Sequence, residues 1–422
     1  MLKRIIIFCC FISLIYQGKA QDKEYARQII TTLTSPKYAG RGYTKNGDQK
    51  AAKFITTELK KNKVAPLSKD YWQSFPIQVN TFPSNMEISI DGENLIAGED
   101  FLVNDYSCSV QGTFPLYLLS GKELSNIDDL IKKDFSGYFI VMDTVGTSFN
   151  LKHRYKEIVE KNSLRAKGII EIIDKTPIHG ISMEQENFAA IKIKRNKITK
   201  SSQSIYLDIL AVEQKNYSTQ NIQGYIKGAT DSTIVFCCHY DHLGTMGKNV
   251  YFPGANDNGS GIAMVINLAK YYTLLKTKPY YTLVFLFFSA EELGLLGSYY
   301  FTQNPTIELS KIRFLINLDV IGSGEKGIQI VNSTIFKKEF EILNKINSEK
   351  KYLPAIQLRG EAANSDHYYF YKNGVPSFFI YTLGNYKEYH NIYDKANGLP
   401  LTEYNDLFKL LTDFVSILSQ KP

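Results

Sequence analysis

Thr233–Gly261 reads TIVFCCHYDHLGTMGKNVYFPGANDNGSG. It opens on an apolar run, Ile234–Cys238, of the kind expected for a strand buried on both faces. His239 and Asp241 follow, two residues apart. At a strand end that spacing leaves both side chains on one edge, where an imidazole can bind a metal while the carboxylate holds its other ring nitrogen. The stretch closes on Gly254-Ala255-Asn256-Asp257-Asn258-Gly259-Ser260-Gly261, a carboxylate between glycines, ahead of an apolar-periodic helix from Ile262. Glycine lets backbone fold tightly around something small, and Asp257 is the natural second ligand.

From about Asn221 to the C-terminus the pattern is strand, loop, helix, repeated, which argues for an α/β sheet covered by helices on both faces. Three more strand ends carry polar chemistry. Thr282–Phe288 is entirely apolar and runs into Ser289-Ala290-Glu291-Glu292-Leu293-Gly294. Phe314–Leu318 ends in Asp319, and Ser377–Tyr381 precedes a polar loop with Tyr389-His390-Asn391. In open α/β sheets ligands bind outside the carboxyl ends of the strands, where all of these residues fall. Adjacent glutamates at a strand mouth repel each other unless a cation or a proton resolves the conflict. Two imidazoles with several carboxylates suit zinc, or less often cobalt or manganese, and the oxygens suffice for two ions sharing a bridge.

The strings HYDHLG, GANDNGSG, SAEELGLLGS, NLDVIG, NSDHYYF and YHNIYDKAN resemble, in order, the metal-binding motifs of the M28 family of zinc aminopeptidases. The resemblance covers the last half of the chain and the helices within residues 24–62. It implies a three-layer zinc-peptidase fold with a mixed, largely parallel sheet, and two zinc ions per chain. His239, Asp257 and Asp319 would hold one ion and Asp257, Glu292 and His390 the other, so that Asp257 bridges. Glu291 is then the general base, Asp241 orients His239, and Tyr389 stabilises the oxyanion. The implied substrates are peptides with a free N-terminus. Glutaminyl cyclotransferase, with one zinc, is the nearest alternative on this fold. A carboxypeptidase of the same family is another, and would need an arginine cluster of which only Arg359 is a candidate. A binding module that kept the fold would have lost ligands, and none of the expected positions is lost.

The 422-residue chain is long enough for a main domain with an insertion. Lys3 and Arg4, an apolar run Ile5–Ile15 and Gly18-Lys19-Ala20 read as a secretory signal peptide over 1–20, which predicts an exported protein, periplasmic or extracellular, with no stable membrane span after cleavage. Removing Lys3, Arg4 and Lys19 lowers the net charge of +7 by three, to +4, and no basic run suggests nucleic acid. Cys108, Cys237 and Cys238 would remain, the latter two as core residues, so no disulfide framework is expected.

Residues 21–75 read as the N-terminal part of the peptidase domain, with helices over Glu24–Leu33 and Asp48–Lys61 around a Gly40-Arg41-Gly42 break. Residues 76–220 read as an inserted β-rich lobe and 221–422 as the catalytic domain. The lobe resembles the protease-associated domain found in this family, through Phe135–Val141 and Ala166–Ile170. Its expected elements are strands at 86–90, 114–119, 138–143, 168–173, 189–193 and 204–212, and a helix over 151–166. Its two histidines, His153 and His179, read as surface residues. His242 reads as a supporting or surface residue, and Ser365 as the cap of a helix over 366–372, with Asp366 lining the site.

Overall fold

The computed structural model describes residues 22–119, 123, 127–143 and 149–420; the expected signal peptide lies outside the described residues. Two sheets organise them. The larger has nine strands. At its centre Thr282–Phe288, Thr233–His239, Ile312–Leu318 and Ser377–Thr382 lie side by side and parallel, so their carboxyl ends share one edge. In this register His239 stands level with Phe288. Antiparallel strands flank the parallel block: Val212–Ile226 on one side and Ile328–Val331 on the other.

The all-apolar strands are explained by burial on both faces. Ile234, Phe236 and Cys238 point to one core with Leu283, Phe285 and Phe287, beneath the helices Lys23–Leu33, Gly47–Lys61, Gly261–Leu274 and Tyr404–Leu418. Val235, Cys237, Val284 and Leu286 point to the opposite core, closed by Phe301 and Phe370. Helix, sheet and helix make three layers, as the sequence leads one to expect. Period-2 alternation within an apolar run serves two cores rather than one core and water.

The second sheet has eight strands, drawn from Met86 to Ile209, with a parallel run Val110–Leu119, Phe139–Asp143, Gly168–Ile173 and Ala189–Lys194. The helix read over 151–166 is found at Phe149–Lys161. The strand read as 204–212 divides into Ser204–Ile209 and a 15-residue strand Val212–Ile226. That long strand belongs to the first sheet and pairs antiparallel with Trp72–Thr81. In Trp72–Thr81, Phe75, Ile77 and Val79 alternate and are buried, whereas the polar half of Val212–Ile226 shows no apolar alternation, being held by its ladder and partly open to water. Leu243, Met246 and Phe252, from the loop after His239, pack into the core of the second sheet, so the lobe is built onto the loops of the site.

Candidate metal centre

The carboxyl edge of the parallel block brings the expected ligands together in two groups. One holds His239, Glu291 and Asp319, and the other His242, Asp257, Glu292 and His390. Asp257 links them. Its Oδ1 lies 3.2 Å from His239 Nε2 and its Oδ2 lies 3.0 Å from His390 Nε2. His239 Nε2 is also 3.1 Å from Asp319 Oδ1, and His390 Nε2 is 3.1 Å from Glu292 Oε2. Thus one carboxylate turns an oxygen toward each of two imidazoles, and each imidazole faces a second carboxylate of its own.

Three strained backbone positions aim these groups. Ala290 (φ 58°) precedes Glu291, Val320 (φ 55°) follows Asp319, and His390 itself has φ 52°. Left-handed backbone is unfavourable for such residues, above all for a β-branched valine, and costs about 1–3 kcal/mol each where the surroundings impose it.

A ring of supporting contacts fixes the ligands. His239 Nδ1 lies 3.2 Å from the Asp241 carbonyl oxygen and 3.7 Å from its Oδ1. The Asp241 carboxylate also accepts from the backbone N–H of Glu291 (3.2 Å) and of Glu292 (3.4 Å), and from the Tyr43 hydroxyl (3.2 Å). It therefore ties the first ligand to the Glu291-Glu292 turn. His242 is buried with Nδ1 2.7 Å from Glu292 Oε1, leaving the other oxygen of Glu292 for His390. Ser365 does not cap the helix that follows, His367–Lys372. Its hydroxyl accepts from Asn317 Nδ2 (2.7 Å) and donates to Asp319 Oδ2 (2.9 Å), so it holds a ligand instead. Asp366 is fully buried behind the site, where burial raises its pKa to about 7.

Arg41 is the supporting residue least expected from the sequence. It is fully buried, and its guanidinium donates to four carbonyls: Tyr240 (2.8 Å), Pro253 (2.7 Å), Gly254 (3.0 Å) and Asp257 (3.0 Å). Both ligand-bearing ends of the 233–261 stretch are thereby held to one side chain. Gly254 is required there: at φ 61° a Cβ would lie 2.2 Å from the Asp257 oxygen and 2.6 Å from Arg41 Nη2. Asp394 completes the cradle by accepting from the N–H of Asn256 (2.9 Å) and of Asp257 (3.1 Å). The only sequence signals were an arginine between two glycines and an aspartate four positions after His390.

The inserted lobe also reaches the site. His179, read from sequence as a surface residue, is 6% exposed; its backbone N–H donates to the His390 carbonyl (2.9 Å) and its ring stacks on Phe252 at 4.5 Å. Burial lowers its pKa to about 3, reinforced by Lys192, His390 and His242. No motif marks it, because the contact is made only when two separate sheets are docked. The side chain of His153 lies outside the described residues.

Electrostatically the centre is built for cations. Burial opposes charging the His390 ring, but the Glu292 and Asp257 carboxylates outweigh it and raise its pKa to about 11. His239 is likewise buried, and Asp319 and Glu291 raise its pKa well above the usual range. Glu292 is held down to about 2, against its burial, chiefly by His390. Glu291 goes the other way: burial, then Asp319 and Glu292, push its pKa well up despite the attraction of His239. Protonated imidazoles thus supply the positive charge that these carboxylates require. His390 Nε2 is buried and sits near two carboxylate oxygens without a well-directed hydrogen bond to either. Donor atoms that converge on a common space rather than on each other, from imidazole and carboxylate, are what divalent ions such as zinc take. The residues fit.

Residues 221–415 match the description Peptidase family M28. That segment is a little under half of the 422-residue chain. The chain is 32% identical over 180 residues to a probable leucine aminopeptidase 2 of Aspergillus oryzae, an alignment covering 40% of this chain and 35% of that protein. Aminopeptidase YwaD of Bacillus subtilis is 25% identical over 376 residues, 84% of this chain and 74% of that one. The chain therefore spans about a third of the first relative's length and about three quarters of the second's. Among solved structures, the fold is shared with a peptidase M28 precursor from Shewanella amazonensis (TM-score 0.71, 18% identity, 96% of this chain and 95% of that chain). It is also shared with BSAP, a zinc aminopeptidase from Bacillus subtilis (TM-score 0.69, 19% identity, 94% and 95%). Both likenesses extend through the lobe as well as the M28 segment.

Proposed function

We propose that this chain is a zinc-dependent aminopeptidase that removes N-terminal residues from peptides, with two ions sharing Asp257. The observation that carries the proposal is the division of Asp257, one oxygen toward His239 and one toward His390. The names of the two curated relatives, leucine aminopeptidase and aminopeptidase, support the reaction class. His239, Asp257 and Asp319 would hold one zinc, and Asp257, Glu292 and His390 the other. Bound zinc supplies Lewis acidity, lowering the pKa of a water and polarising the scissile carbonyl.

The chain's own groups supply the proton transfers. Glu291 belongs to the ligand cluster, yet among the carboxylates there it has the strongest push toward the protonated form. A carboxylate so poised accepts a proton from attacking water and passes it to the leaving amine. The Tyr389 ring stacks on His390 at 3.8 Å, and partial desolvation of this half-exposed side chain together with the Asp257 and Glu292 charges raises its pKa, so the phenol keeps its proton. That proton can be donated to the oxyanion. Arg41, Asp394, Asp241 and His242 keep the ligands in place.

We also propose export through a signal peptide at residues 1–20, which N-terminal sequencing of the mature protein tests. Among the described residues no helix is long and apolar enough to cross a membrane.

The reaction is tested by zinc content together with hydrolysis of leucyl-nitroanilide on the same sample. Two zinc ions per chain, with activity lost on chelation and restored by zinc, are expected. A single zinc without hydrolysis would overturn the proposal.

A further inference from the structure

The lobe carries a cavity of about 880 Å³ that the proposed chemistry leaves unused. It lies at the carboxyl end of Gly168–Ile173, beside the helix Phe149–Lys161, and is lined by Tyr106, Val159, Ile172 and Ile178 together with charged side chains of both signs, Glu160, Asp174, Lys175 and Lys192 among them. This is the crevice beyond the carboxyl ends of parallel strands, the same position that the metal centre occupies on the larger sheet. Its volume is that of a ligand site, and its apolar patches lie among charged groups of both signs.

The cavity adjoins the metal centre. Its rim includes His179 and Gly180, and the N–H of His179 is the donor to the carbonyl of His390. Next to these two bonded residues stand Ile178, 51% exposed, and Tyr389, 46% exposed. Two exposed apolar side chains thus stand where the two sites adjoin. Gly180 lets the rim pass close over the Asp105 carboxylate, whose pKa burial raises: a Cβ there would lie 2.6 Å from Asp105 Oδ2.

From this continuity we infer that the cavity receives the downstream part of a peptide substrate, so that the chain prefers peptides of at least five residues with apolar side chains at the fourth and fifth positions. The inference rests on the aminopeptidase reading. The length follows from geometry. Hydrogen-bonded backbones lie about 4.8 Å apart, so crossing the His390 and His179 segments takes roughly 10 Å, about three residues of extended chain at ~3.4 Å each. The cleaved residue remains at the metal centre, and the residues beyond the third reach Ile178 and the cavity.

The test compares leucyl-nitroanilide, Leu-Gly-Gly and the hexapeptide Leu-Gly-Gly-Leu-Phe-Gly on the zinc-loaded full chain. The hexapeptide is expected to show a KM roughly tenfold below that of the tripeptide. In Ile178→Asp, the ratio of hexapeptide to nitroanilide kcat/KM should fall by about tenfold, through KM. Equal KM for the two peptides, or an unchanged ratio in the variant, overturns the inference while leaving the aminopeptidase reading standing. Absence of all hydrolysis overturns that reading instead, and a second measurement then decides the cavity. A hexapeptide with benzoylphenylalanine at position five, irradiated on the chelator-treated chain, should give adducts within residues 155–180. Adducts confined to other surfaces refute the assignment.

Discussion

Replacing Arg41 by methionine would remove the one side chain that fastens both ends of the ligand-bearing stretch. The guanidinium is fully buried, and its four bonds of 2.7–3.0 Å all end on backbone carbonyls. Burying a charge without a directly bonded counter-charge is expensive; here the compensation comes from Asp257, Asp394, Asp241 and Glu292, which offset the effect of desolvation. Methionine matches the stem but leaves four inward-facing carbonyls without donors. Each would cost about 1–3 kcal/mol if nothing relaxed, and the four are not additive. Loss of one member of such a buried charged network costs about 3–5 kcal/mol. At about 2–4 °C per kcal/mol for a domain of this size, the metal-stripped variant should melt about 6–20 °C lower. Lysine should recover only part of the loss, because a compact ammonium cannot span carbonyls that a planar fork reaches. Differential scanning calorimetry of the metal-stripped full chain measures this, and zinc titration of the same samples should show about 10- to 100-fold weaker binding in Arg41→Met. A melting midpoint within about 2 °C of the wild type would refute the argument, since it would mean the carbonyls find other partners at no cost.

Other outcomes follow from the site. Glu291→Gln should lower kcat by about 10²- to 10⁴-fold with both zinc ions retained, and full activity in that variant removes Glu291 from the chemistry. His390→Ala should lose metal as well as activity, read by elemental analysis after dialysis. Because carboxylates hold His390 up to about 11, a metal must displace its proton at neutral pH. Zinc affinity should therefore rise about tenfold per pH unit per proton released between pH 6 and 8, and a flat profile by calorimetric titration would contradict the ligand assignment. In the metal-free chain the same raised pKa contributes stability that is complete below about pH 6.5 and is lost as pH rises toward 11. Cys237 and Cys238 are free, buried and pushed to high pKa by desolvation. Iodoacetamide should label neither in the folded protein, and reductant should leave its melting temperature unchanged.

Much of the centre is legible in the sequence because most of the candidate ligands follow directly from a strand whose burial is written in its apolar run, with Asp257 and His390 in loops beyond. His239 ends Thr233–His239, Asp319 follows Ile312–Leu318, and Glu291-Glu292 follows Thr282–Phe288 by a short turn. A parallel sheet places such ends on one edge whatever the separation in sequence, so residue type and position suffice. Arg41, Asp394 and the hydroxyl of Ser365 are different. They act through backbone carbonyls, N–H groups or a neighbour's carboxylate, and their partners are 46 to 216 positions away. No periodicity encodes such pairings; only the closure of the three layers brings them into range. In the ribbon of Trp72–Thr81 with Val212–Ile226 the first strand buries Phe75, Ile77 and Val79, while the polar half of the second is held by its inter-strand ladder, which is why that half passes for loop. His179 shows the limit most clearly. By sequence it is a lone histidine in a turn, and it acquires its partner, its burial and its low pKa only where the second sheet meets the loop of the first. The sequence by itself determined the strands and the chemical identity of the ligands, because burial and donor type are local properties. The tertiary structure alone decided what holds those ligands and what stands beside them, because a hydrogen bond to a distant backbone leaves no pattern in the chain.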